Sequence, residues 1–307
     1  MASTSLLSYS IKPANPAGHY FDVTLIFSPT SDHPVNLTLP AWIPGSYMIR
    51  DFAKNIITLT AKDDSGLLSL TKQDKQSWQL IHNNKPVTLT WQVYAWDMSV
   101  RTAHLDDTHG FFNGTSVFLC PEGFESARCD VEILPPDHLK DWRVATGLKR
   151  AENTEKYSFG RYIAENYQQL IDCPVEMGTF ESWEFEAHGI PHHLILTGKH
   201  YGDPERIVRE LTKICDTQLT LFGKPYPMDE YWFLTFIVDD GFGGLEHTNS
   251  TALICSRYDL GNKNFPDEYS DGYKTFLSLC SHEYFHTWNV KRIKPTEFLP
   301  YQLDQEQ

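Results

Sequence analysis

Two histidines four residues apart, with a glutamate directly after the first, impose the strongest constraint on this chain: His282-Glu283-Tyr284-Phe285-His286. On an α-helix, residues i and i+4 lie one above the other on the same face, so both imidazoles can reach one metal ion. Glu283 sits about 100° around such a helix, beside the metal rather than on it. This is the arrangement a zinc peptidase needs: two neutral nitrogen ligands, His282 and His286, and a carboxylate, Glu283, that takes a proton from water attacking a carbonyl. With 13 His in 307 residues, random placement would give the pattern in about one such chain in thirty, so its context has to decide. Behind the capping-type Asp271, apolar residues at 276, 277, 280 and 284 predict a buried helix. Lys291, Arg292 and Lys294 follow where cations suit the helix dipole, and Pro295 prevents continuation. The competing reading is two satisfied core histidines.

Upstream, Tyr231-Trp232-Phe233-Leu234-Thr235-Phe236-Ile237-Val238 has strand character and runs into Asp239-Asp240-Gly241-Phe242-Gly243-Gly244-Leu245-Glu246-His247. Gly243 and Gly244 end that strand or let another backbone come close, so an extended peptide could pair with this edge, with Glu246 projecting into the cleft. An ordinary turn followed by an exposed acid fits the same residues equally well. His247 could donate a hydrogen bond to a substrate carbonyl or serve the structure.

Gly243-Gly244-Leu245-Glu246-His247 and the long stretch Ser281 to Pro295 resemble the glycyl aminopeptidase family, gluzincins that usually carry a C-terminal PDZ domain. Ala41 to Phe52 and Phe112 to Leu119 resemble the same family, and the likeness covers essentially the whole chain. The resemblance implies zinc held by His282 and His286, Glu283 as general base, and Glu246 as the carboxylate that holds a substrate's free α-amino group. The family's third zinc ligand, a glutamate in a stretch like Trp-x-x-Glu-Gly-x-Thr-x-Tyr-Tyr, is absent. Glu297 lies too near His286, just beyond Pro295, to fold back from a second helix. Glu306 has the spacing of thermolysin, but alignment of Lys294-Pro295 and Pro300-Tyr301 with the family places it in the loop before the missing helix. As the penultimate residue it also lacks a helix to fix it. The chain is therefore expected to be an N-terminal half with an incomplete zinc site, its third ligand lying beyond Gln307.

A length of 307 residues suggests about two domains, and 41% hydrophobic with 13% aromatic residues is enough for packed cores. Alternating apolar positions (Phe21, Val23, Leu25, Phe27; Val35, Leu37, Leu39; Val87, Leu89, Trp91, Val93), punctuated by Pro44-Gly45 and Asn113-Gly114, predict an N-terminal antiparallel β-sandwich over 1–172. Residues 173–307 change to mixed character. Strands around 180–185 and 193–196 precede a helix opened by Pro204 and marked by Ile207, Val208, Leu211, Ile214, Cys215 and Leu219. With the family resemblance, this order implies the α+β upper half of a thermolysin-like catalytic domain, incomplete at its C-terminus.

A net charge of −14 argues against nucleic acid or an anionic membrane as partner. No apolar run has the length of a membrane helix, and residues 1–8 lack the basic start and apolar core of a signal peptide, so a cytoplasmic location is expected. Six cysteines without a Cys-x-x-Cys pair read as small buried residues. His188, His192 and His193 read as a polar turn between strands rather than a metal cluster, and Asp106, Asp107 and His109 as a solvated connection. Ser281 has no evident base to activate it. The resulting expectation is a zinc aminopeptidase acting on peptides with a small N-terminal residue such as glycine. An endopeptidase on the same scaffold and a non-catalytic peptide-binding module are the alternatives. Oligomeric state is not legible.

Overall fold

The computed structural model describes residues 6–306. It is mostly β-sheet, and the chain falls into two compact units: 1–144, 148–177 and 300–307 form the first, and 145–147 with 178–299 the second. Residues 300–307, expected in the catalytic domain, thus belong to the first unit. The reason is local: the amide of Ala41 donates to the Leu303 carbonyl at 2.6 Å, and the Trp42 indole donates to the carbonyls of Gln302 and Gln305 at 3.0 and 2.9 Å.

In the first unit the alternating pattern becomes paired strands. Tyr20–Phe27 and Val87–Tyr94 run antiparallel with Phe21 opposite Val93, Val23 opposite Trp91 and Leu25 opposite Leu89, so one apolar face is continuous. They lie within a sheet that has eight strands among the described residues. One pairing departs from the expected antiparallel arrangement: Leu6–Asn15 runs antiparallel to Tyr20–Phe27 but parallel to Arg128–Ile133. A parallel partner needs a long connection, and periodicity within either strand says nothing about it. The Phe112 to Leu119 stretch is buried, and a Cβ on Gly114 would lie 2.7 Å from the Ile171 Cα, so only glycine fits there. The hydroxyls of Tyr9 and Tyr167 and the Trp91 indole donate to the carbonyls of Leu119, Phe118 and Val117.

The second unit is built on a sheet of five strands, counted among the described residues. Their order is Phe180–Ala187, Ile190–Thr197, Tyr231–Val238, Ser250–Ser256 and Gly243–Glu246. The three inner strands are parallel to one another, and Gly243–Glu246 returns antiparallel as an edge. Gly243 and Gly244 therefore start a short strand of their own rather than ending the preceding one. The helix Pro204–Phe222 is capped by Asp203, whose carboxylate accepts from the Arg206 amide, and buries Ile207, Leu211, Cys215 and Leu219 on one stripe. It shares its core with Tyr231 and Phe233 of the sheet and with Tyr273, Phe276, Cys280 and Tyr284 of the helix Asp271–Phe285. Among the described residues no helix is long and apolar enough to cross a membrane.

Candidate metal and peptide site

Ser270 caps the motif helix, accepting from the Tyr273 amide at 3.2 Å, so the helix begins at Asp271, the residue the sequence pointed to as the cap. Its buried face is Tyr273, Phe276, Leu279, Cys280, Glu283 and Tyr284, which forces Glu283 inward and leaves His282 exposed. His286 closes the helix as its C-cap, still in helical conformation. The i, i+4 spacing brings the Nε2 atoms of His282 and His286 to 3.0 Å. His286 Nδ1 donates to the Asn289 carbonyl at 2.5 Å, which fixes the tautomer and leaves Nε2 as an acceptor directed at His282 Nε2.

That pair fits a zinc ion. Two Zn–N bonds of about 2.0–2.1 Å at a tetrahedral angle would hold the nitrogens roughly 3.3 Å apart, close to the separation observed. Glu246, Glu283 and His286 each offer one ligand atom within 4.8 Å of the others, so His286 belongs to both sets. Neither Glu297 nor Glu306 joins this group among the described residues.

Glu246 is 6% and Glu283 4% exposed, so neither is the solvated acid that a surface turn would carry. Glu283 lies against the edge strand: a Cβ on Gly244 would come within 2.1 Å of its Oε1 and 2.8 Å of its Cγ. Beneath it, Tyr231 is fully buried, and burial followed by the nearby Glu283 carboxylate pushes its phenol well up, so the phenol stays neutral. His247 is fully buried, and its amide donates to the Ser250 carbonyl at 2.9 Å.

Other histidines go elsewhere. His188 and Gly189, both at positive φ, form the two-residue turn between Ala187 and Ile190. The His188 ring meets Thr220 and Tyr226 at 3.0 and 2.8 Å. His192 points into the core, where its Nδ1 donates to the Ile190 carbonyl at 2.8 Å and its Nε2 accepts from the Tyr284 hydroxyl at 2.9 Å. His193 stacks on Trp232 at 3.9 Å between ring centres. The three rings thus make no common site. His109, expected in a solvated connection, is 1% exposed and meets Glu176 at 3.0 Å. The flanking acids suggested a loop, whereas His109 opens the strand His109–Phe112, which pairs with Ala103–Leu105.

Sequence reasoning missed Asn289, Tyr231 and Gln218, which braces the helix by donating to the Ser281 carbonyl and hydroxyl at 2.9 and 3.0 Å. Asn289 and Tyr231 lay in stretches already singled out for the site, though with no role assigned to either, and Gln218 did not.

Among comparisons with known proteins, the family model described as the Peptidase M61 N-terminal domain matches residues 8–179, and that of M61 glycyl aminopeptidase matches 275–307. No curated protein matches. A crystal structure of an aminopeptidase N family protein from Idiomarina loihiensis is 49% identical, with a TM-score of 0.94 over 98% of this chain and 50% of its own, so this chain spans half that protein's length. An M1 zinc metallopeptidase from Deinococcus radiodurans is 10% identical with a TM-score of 0.52, over 93% of this chain and 64% of its own. A glutamate-to-alanine mutant of that enzyme aligns with the same TM-score at 11% identity, and these two likenesses concern the fold alone.

Proposed function

The chain belongs to the M61 peptidase family, and from that premise we propose that its second unit carries the zinc and substrate-amine side of an aminopeptidase site. The observation that carries this reading is the His286 ring, oriented by the Asn289 carbonyl so that the lone pair of its Nε2 faces His282 Nε2 at 3.0 Å, with buried Glu246 and Glu283 alongside. His282 and His286 would hold zinc. When bound, zinc supplies Lewis acidity to the scissile carbonyl and to the attacking water.

Glu283 takes the proton from that water and returns it to the leaving amine. Glu246 pairs with the substrate's α-ammonium. The edge strand Gly243–Glu246 offers backbone groups to an extended peptide, and its glycines leave room for that backbone. A peptide with a small first residue such as glycine is the substrate we infer, from the family's name.

The test is a double cycle of kcat/KM in a longer polypeptide that turns over, using free and N-acetylated peptides with wild type and Glu246→Gln. Removing either charge leaves the other poorly satisfied, at about 2–5 kcal/mol, so each change alone should hurt and the second should add little. Equal cleavage of free and acetylated peptides by the wild type would replace this reading with an endopeptidase. Zinc binding without cleavage of either peptide would replace it with a binding module.

A further inference from the structure

We propose that Arg292 is a positioning residue that keeps the His286 and Glu246 segments in register. The inference rests on the zinc reading above but is carried by a separate set of contacts. One guanidinium reaches three backbone carbonyls: Nη1 donates to Thr287 at 2.6 Å and to Thr248 at 3.1 Å, and Nη2 donates to Pro227. Each acceptor adjoins a different part of the site. Thr287 follows His286, Thr248 lies just past Glu246 and His247, and Pro227 leads toward the strand Tyr231–Val238 that places Tyr231 under Glu283.

The turn carrying Arg292 is the one that orients His286. The amides of Val290 and Lys291 donate to the His286 carbonyl at 3.2 and 3.0 Å, and those of Arg292 and Ile293 to the Trp288 carbonyl at 3.0 and 2.7 Å. Asn289 also bridges to Ile293. This curl turns the Asn289 carbonyl toward His286 Nδ1 and brings the Arg292 side chain back across the helix end. Tied only through its own amides, the curl could pivot as a body; tied through Arg292 to Thr248 and Pro227, it is fixed relative to the strands. Arg292 is exposed, so its contribution is geometric: a rigid planar fork can serve carbonyls in several directions at once, which an ammonium on a flexible stem does less well.

The test uses this chain, at about pH 8 where an imidazole is neutral. The His286 tautomer is read by long-range proton–nitrogen correlation in the metal-free protein, and zinc affinity is measured by competition with a chelator. Arg292→Gln is expected to turn His286 from the Nδ1–H form into a mixture and to raise the zinc Kd by about 10–100-fold, with Arg292→Lys in between. Arg206→Gln is the matched control. Arg206 braces the carbonyls of Phe265 and Glu268 at 3.3 and 2.8 Å in the same unit, so its loss costs stability without moving either readout. An unchanged tautomer in Arg292→Gln overturns the proposal, as does an equal change in Arg206→Gln. If Arg292→Gln does not fold, Arg292→Lys carries the same comparison. A wild type that binds no zinc while its His286 tautomer still responds to Arg292 would remove the zinc reading and leave the positioning role standing.

Discussion

Gly244 is a glycine because the Glu283 carboxylate occupies the space its side chain would need. A Cβ 2.1 Å from Oε1 is impossible, so Gly244→Ala must displace either the carboxylate or the edge strand. In a longer polypeptide that turns over, Gly244→Ala should lower kcat by about 10²-fold, the effect of moving a catalytic group by roughly 1 Å. Zinc content should not change, since both histidines lie outside the contact. Loss of zinc together with rate would show instead that the helix itself had shifted. Glu283→Gln should likewise keep fold and metal but lose nearly all turnover, because an amide cannot accept the proton; more than about a tenth of the wild-type rate would remove Glu283 from the role of base. At this scale the sequence showed which residue types meet, through the i, i+4 spacing. It did not show the burial of Glu246, the Glu283–Gly244 contact or the hydrogen bond that sets the His286 tautomer, because each depends on segments joined only by folding.

The elements were legible where periodicity is local, and illegible where pairing is not. The helices Pro204–Phe222 and Asp271–Phe285 and the alternating strands Tyr20–Phe27 and Val87–Tyr94 follow from apolar spacing and caps. The parallel pairing of Leu6–Asn15 with Arg128–Ile133 does not, since nothing within a strand names a partner more than a hundred residues away. Between elements, the Tyr284 hydroxyl on His192 adds a buried hydrogen bond to the apolar packing of the motif helix on the sheet. It has a consequence in solution. Burial pushes His192 down from 6.5 to about 4, so between those values the unfolded chain holds a proton that the folded chain does not. Stability therefore falls as pH drops from about 6.5 toward 4, by up to about 3 kcal/mol. His192→Gln should flatten this slope, read from denaturant midpoints across the window. Burial also lowers His104, which adds the same sign in the first unit, so the difference between variant and wild type is the measure. Identical slopes in the two proteins would show that His192 titrates normally.

At the scale of the whole molecule, the path of the chain after the motif helix is what the sequence left hidden. Residues 300–307 return to the first unit, where the Tyr301 ring meets Trp42 edge-on at 5.7 Å and the Gln76 side chain donates to the Asp304 carbonyl at 2.5 Å. The Ala41 to Phe52 stretch thereby acquires a structural role as the receptor for the segment that follows the motif helix. Trp42→Phe keeps most of the buried ring but removes the donor shared by Gln302 and Gln305, at a cost of about 1–3 kcal/mol. The expected result is faster proteolysis confined to residues 300–306, with the midpoint of the second unit unchanged; a protease pattern identical to wild type would mean the backbone contacts suffice. The same segment contains Glu306, the acid whose spacing alone could make it a ligand. In the proposed mechanism Glu246 and Glu283 have other work, so His282 and His286 alone would leave zinc short of protein ligands. This chain should therefore hold zinc more weakly than a longer family member, with Glu306→Gln changing nothing. Metal analysis after dialysis decides it: stoichiometric, tightly held zinc that is lost on Glu306→Gln would make Glu306 the third ligand and the site complete within these residues.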